Sequence, residues 1–134
     1  MSVPFRDRRI LVVEDEMIVA WLLVEMLEQL GCHVVGPASD VSQALEIIGR
    51  EPLDAALLDV NLNGELSYPV ADALKARSIP FMFSTGYDRS GLRDGYRLLP
   101  MLQKPYHGSE FEKVLALMLT PGAGGRGVGA PIAA

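Results

Sequence analysis

The chain predicts an α/β fold: a doubly wound domain on a five-stranded parallel sheet. Two features carry that prediction. Ile10-Leu11-Val12-Val13 and Ala55-Ala56-Leu57-Leu58 are unbroken apolar runs rather than alternating ones, as in strands covered by helices on both faces. Such runs also alternate along the chain with longer segments of helical periodicity, so that successive strands run parallel through helical crossovers.

Strands are expected near residues 9–13, 32–36, 54–59, 80–84 and 99–103, and helices near 16–30, 40–49, 67–76 and 107–119. Pro52, Pro80 and Pro100 fall at element starts, where a missing amide is tolerated. The fourth helix of the series is predicted short or irregular, because Gly86 to Leu98 holds Asp88, Gly91, Asp94 and Gly95 and has poor helix propensity. The first helix is the opposite case. Met17 to Leu30 holds eleven apolar residues among fourteen, more than one core-facing stripe can use. At 100° per residue, Val19, Leu23, Met26, Leu27 and Leu30 cluster toward the sheet. Ile18, Trp21 and Leu22 fall outward with Glu25, Glu28 and Gln29, and Met17 lies beside Trp21. That outer face either packs on the last helix or forms a contact surface.

A length of 134 residues with 49% hydrophobic and 22% charged residues suits one globular domain. Its expected bounds are 8–119, followed by a flexible Gly/Ala/Pro-rich tail at 120–134 whose single charge is Arg126. A net charge of -5 argues against direct nucleic-acid binding, which relies on Lys and Arg to neutralise phosphates. The cluster Arg6, Arg8, Arg9 reads as a solvated edge before the first strand. Cys32 is the single cysteine; it allows no intrachain disulfide and reads as a buried structural thiol suited to a reducing cytoplasm. The run Met17 to Val24 is too short to span a bilayer, and the N-terminus lacks a signal-peptide core. The expected location is therefore cytoplasmic, with no membrane contact. His33 reads as a sheet-edge residue and His107 as a first-turn residue of the last helix; neither has a metal-binding partner at suitable spacing.

The charges sit where strands end. Glu14-Asp15 follow the first strand, Asp59 closes the third, and Lys104-Pro105 follow the fifth. In an open α/β sheet, ligands bind in the crevice outside the carboxyl ends of the strands. Three carboxylates gathered there repel one another unless a cation or a proton relieves them. No His or Cys accompanies them, so an all-oxygen site favours magnesium or manganese over zinc or copper. Magnesium is usually held by one or two carboxylates together with phosphate oxygens, which points to phosphoryl chemistry.

Taken together, these landmarks resemble the receiver domain of two-component response regulators over residues 8–119. Glu14-Asp15 resembles the acidic pair and Asp59 the phosphoacceptor. Thr85 resembles the hydroxyl residue ending the fourth strand, and Lys104-Pro105 the lysine with its cis-bonded proline. The segment Pro80 to Tyr87 is similar to the subgroup named for a Phe-Ala-Thr-Gly motif, with Ser84 in place of the alanine.

The resemblance implies a flavodoxin-like fold and a single-domain response regulator that signals through protein contacts. Asp59 would attack the phosphohistidine of a histidine kinase or phosphotransfer protein. Asp15, Asp59 and the Asn61 carbonyl would hold Mg2+, with Glu14 acting through water. Lys104, the Thr85 hydroxyl and the Gly86 amide would contact the phosphoryl group. Partners would be that phosphodonor and a downstream protein target. The outer face of the first helix would dock the phosphodonor or a second copy of the chain. Such a domain is no enzyme beyond its own phosphorylation and dephosphorylation.

Two other classes compete. One is a receiver-like interaction module that works without phosphorylation. The other is a small Asp-nucleophile phosphohydrolase, whose usual second Asp is replaced by Asn61. One departure concerns the switch: Met101 stands where the family usually has an aromatic residue, with Tyr87 and Tyr106 as nearby aromatics.

Overall fold

The computed structural model describes residues 5–62, 64–85, 101–103, 113, 115–116 and 118–119. In chain order these form β1 (Arg9–Val13), α1 (Met17–Gln29), β2 (His33–Ala38), α2 (Val41–Arg50) and β3 (Ala55–Asp59). A two-stranded hairpin follows, β4 (Asn61–Leu62) and β5 (Glu65–Leu66), then α3 (Tyr68–Ala76), β6 (Phe81–Thr85) and β7 (Met101–Gln103). The described residues from 113 to 119 are helical. The main sheet has the order β2-β1-β3-β6-β7, with every pairing parallel. The chain leaves β1 toward β2 and then returns to β3 on the other side of β1. That reversal opens a crevice at the carboxyl ends of β1 and β3.

The two-sided burial inferred from the apolar runs is present. Leu11 and Val13 of β1, Ala56 and Leu58 of β3, and Phe81 and Phe83 of β6 pack on one face against Ala44 and Ile48 of α2 and Val70 and Leu74 of α3. The alternate residues Ile10, Val12, Ala55, Leu57 and Met82 face the other layer, with Leu23 and Leu27 of α1 and Leu115, Met118 and Leu119. Phe83 lies edge-on to both Tyr68 and Phe81, with ring centroids 5.8 Å apart in each pair, a preferred aromatic geometry.

Local chemistry sets the boundaries. The Asp40 side chain caps α2 by accepting from the Gln43 amide at 2.7 Å, while Gln43 Oε1 accepts from the Ser39 amide at 2.9 Å. These bonds satisfy orphan donors in the manner of a capping box. β2 runs past its expected end at residue 36. Gly36 has φ +96°, and a Cβ there would sit 2.9 Å from the Ala38 nitrogen; the β1–β2 register shifts beside it, between Leu11 and Val13. The hairpin of β4 and β5 was not expected, although Asn63-Gly64 at its turn is a strong hairpin dipeptide. Gly64 has φ +95°, which such a turn requires.

The basic cluster has a structural use. The Arg9 amide donates to Asp54 Oδ2, its Nε to the Pro52 carbonyl and a terminal nitrogen to Glu51 Oε1, each at 2.7 Å. Arg8 lies 4.0 Å from Asp54. These contacts tie the start of β1 to the loop before β3. His33 is exposed on the edge strand β2. Cys32 is buried, and burial pushes its thiol up to about 11. Among the described residues no helix is long and apolar enough to cross a membrane. The stretch 86–98, expected to form a short or irregular fourth helix, lies outside the described residues, as do Lys104-Pro105, Tyr106, His107 and 120–134.

Two outcomes follow from this packing. Phe83→Ala removes a ring held by two others, and urea denaturation should show a loss of about 3–5 kcal/mol. At pH 8 roughly one Cys32 in a thousand is thiolate, so a disulfide reagent should label the native protein far more slowly than the urea-unfolded chain. Between the ordinary value of 9.0 and about 11, only the unfolded chain gives up this proton. Cys32 therefore subtracts from stability as pH rises through that window and has no such effect below it.

Candidate functional site at the strand ends

The site is built by strand register. Val13 of β1 pairs with Leu58 of β3, so the next residues, Glu14 and Asp59, arrive level with each other at the carboxyl end of the sheet. The Glu14 amide donates to the Ala38 carbonyl at 2.9 Å, which fixes it against the end of β2. Its Oε2 accepts from the Glu16 amide at 3.1 Å. Glu14 and Asp59 are buried and Asp15 is half-buried. One carboxylate oxygen from each of Glu14, Asp15 and Asp59 can be chosen so that all three lie within 4.8 Å of one another.

The residues after Asp59 shape the rim. Asp59 Oδ1 accepts from the Asn61 amide at 3.3 Å, and Asn61 Oδ1 accepts from the Gly64 amide at 2.7 Å. The Asn61 side chain is thus engaged in closing the hairpin. The hairpin brings Leu62 and Glu65 to the wall of a polar cleft of about 630 Å³, with Asp15, Glu16, Ser39 and Asp40 as the other lining residues. The sequence reading found none of Ser39, Asp40, Leu62 or Glu65. Their signals were the capping pattern Asp40-x-x-Gln43 and the Asn63-Gly64 turn.

Thr85 ends β6 at the same end of the sheet, because Asp59 pairs with Ser84 and Thr85 pairs with Gln103 of β7. Met101 lies in β7 opposite Phe83. Lys104 and Gly86, the other two residues singled out for phosphate contacts, belong to the stretches not described.

Like charges at such separations repel by a few kcal/mol even at an effective dielectric of about 20. Relief by a cation fits the donor set, since among the described residues the cluster offers carboxylate oxygens alone. Hard divalent ions take such ligands, whereas zinc and copper favour nitrogen or sulfur.

The family model for the response regulator receiver domain matches residues 10–114, and the chain belongs to that family. The transcriptional regulatory protein PdtaR of Mycobacterium tuberculosis is 26% identical over 117 residues, which make up 84% of this chain and 57% of that protein. The chain thus spans little more than half of that relative's length. The solution structure of SdrG from Sphingomonas melonis Fr1 is 43% identical with a TM-score of 0.77, covering 90% of this chain and 100% of that one. The receiver domain of the sensor histidine kinase PA1611 from Pseudomonas aeruginosa PAO1 is 26% identical with a TM-score of 0.74, covering 84% and 98%. That structure has a magnesium ion coordinated in its active-site cleft.

The carboxylate congestion has a measurable consequence. In EDTA, Asp15→Asn should be more stable than wild type by about 1 kcal/mol in urea denaturation, because one like charge is gone. Millimolar Mg2+ should stabilise the wild type more than the variant and narrow or invert that difference. Identical responses to Mg2+ would remove Asp15 from the cation site.

Proposed function

We propose that this receiver domain, spanning residues 8–119 ahead of a tail at 120–134, accepts a phosphoryl group on Asp59 and passes its state on through protein contacts. The observation that carries this reading is the convergence of Glu14, Asp15 and Asp59 within 4.8 Å at the strand ends. The donor is the phosphohistidine of a histidine kinase or phosphotransfer protein. A carboxylate oxygen of Asp59 attacks phosphorus, the bond from phosphorus to the imidazole nitrogen breaks, and an acyl phosphate remains on Asp59. Hydrolysis of that acyl phosphate returns the carboxylate.

Asp15, Asp59 and the Asn61 carbonyl would hold Mg2+, with Glu14 reaching it through water. The bound ion would supply neutralisation of charge on the phosphoryl oxygens. Lys104 pairs with a phosphoryl oxygen as a compact cation, while the Thr85 hydroxyl and the Gly86 amide donate to others. The contribution of these groups is positioning and charge balance, and catalysis is confined to the domain's own phosphorylation and dephosphorylation. The partners are the phosphodonor and a downstream protein. A cytoplasmic setting fits the one buried, unbridged thiol.

The competing readings lose ground on particular residues. A phosphohydrolase needs an acid/base near the nucleophile, yet the residue two positions on is Asn61, whose Oδ1 is bonded to the Gly64 amide. A module that never met phosphate or a cation would have no use for one carboxylate oxygen from each of three residues gathered within 4.8 Å at the strand ends.

Intact-mass spectrometry after incubation with acetyl phosphate and Mg2+ tests the proposal. Wild type should gain one phosphoryl group, and neither Asp59→Asn nor wild type in EDTA should gain any. Incorporation by Asp59→Asn at the wild-type level would reject Asp59 as the acceptor.

A further inference from the structure

One residue joins the end of β3 to the hairpin that follows it. The Asn61 amide donates to Asp59 Oδ1 at 3.3 Å, and the Asn61 side-chain oxygen accepts from the Gly64 amide at 2.7 Å. The base of the hairpin is closed by the Ser67 amide, which donates to the Val60 carbonyl at 2.9 Å. Between these ties Asn61 pairs with Leu66 and Leu62 with Glu65.

Packing anchors the two strands unequally. Leu62 is buried in the core cluster that holds Val60 and Tyr68, whereas Glu65 and Leu66 are exposed. A hairpin with two residues in each strand is too short to hold itself by pairing alone, so the side-chain bond across its turn bears more on its conformation than such a bond does in a long ladder. Both sides of the hairpin reach the carboxylate cleft. Asp59, to which the Asn61 amide is bonded, belongs to the cluster with Glu14 and Asp15, and Glu65 of the outer strand lines the cleft together with Asp15.

We propose that the bond from the Gly64 amide to the Asn61 side chain is a latch that forms the cation site in advance, which makes Asn61 a positioning residue through its side chain. Without the latch, the backbone from 61 to 66 must be ordered when the cation arrives, and that entropy is drawn from binding. With it, the hairpin already holds the Asn61 backbone, and the Asn61 amide already orients the Asp59 carboxylate. Coupling of this kind is reciprocal, so a bound cation must strengthen the bond to Gly64 by the factor that the bond strengthens cation binding. This inference rests on the reading of Asp59 and the Asn61 carbonyl as cation ligands.

Two variants break the latch from opposite ends. Asn61→Ala removes the acceptor and keeps the backbone carbonyl and amide. Gly64→Ala leaves Asn61 untouched: a Cβ there would meet no atom within 4 Å, but the φ of +95° strains any residue that carries one. With folds checked by circular dichroism, both variants should bind Mg2+ about tenfold more weakly than wild type in calorimetry, the scale on which lost outer-shell partners act. In wild type, Mg2+ should slow exchange of the Gly64 amide proton measured by NMR, a readout that needs no variant. A bond with a structural role alone would lower stability in EDTA without moving either quantity. Unchanged Mg2+ affinity in either variant, or Gly64 exchange indifferent to Mg2+, overturns the latch. Acetyl phosphate labelling separates this outcome from the phosphoacceptor reading. Wild type that shows the latch effects but gains no phosphoryl group counts against Asp59 as acceptor alone, and wild type that binds no Mg2+ overturns both.

Discussion

Burial of β1, β3 and β6 on both faces is the constraint from which the rest of the molecule follows. Ile10 to Val13, Ala55 to Leu58 and Phe81 to Phe83 are all buried, and a charge inside any of these runs would require desolvation without a partner. Charged groups are therefore displaced to the strand ends. Parallel register then brings the ends of β1 and β3 level, so the exclusion that protects the core also concentrates Glu14, Asp15 and Asp59 in one place. The site is a product of sheet register rather than of any local loop motif.

That concentration shapes its surroundings. The Asp40 cap of α2 and Glu65 of the hairpin add acid to the cleft wall, and the Asn61 side chain is held by the Gly64 amide. The same end of the sheet receives Thr85 through the β6 and β7 pairings. The helix layers divide differently. On the α2 and α3 side, the core residues fill the space over Phe81 and Phe83, while α1 carries more apolar surface than its sheet face accepts. An electronegative cleft and an apolar groove with an acidic rim thus lie side by side.

Much of this was legible in the sequence because burial leaves a compositional trace. The unbroken runs gave β1 and β3, and the 100° wheel separated Leu23 and Leu27 from the exposed Ile18, Trp21 and Leu22. The acidic pair and Asp59 were readable because a carboxylate after an apolar run has few structural uses. What escaped notice was written in backbone conformation. Gly36-Pro37 read as the end of β2, whereas the strand continues to Ala38 through a glycine at positive φ. The hairpin was missed because its strands have two residues each, too few for any periodicity, and only Asn63-Gly64 could have disclosed it. Arg8 and Arg9 read as a solvated edge, and their ties to Glu51, Pro52 and Asp54 depend on a contact more than forty residues away that no local pattern records.

The central claim is that the clustered carboxylates form a cation-dependent phosphoryl site with Asp59 at its centre. Fluorine NMR of beryllofluoride, a phosphoryl mimic, tests it most directly. Resonances of the bound species should appear with wild type in the presence of Mg2+, vanish on addition of EDTA, and be missing for Asp59→Asn. Bound resonances that persist without Asp59 or without the cation, or none at all with wild type at saturating Mg2+ and beryllofluoride, would contradict it.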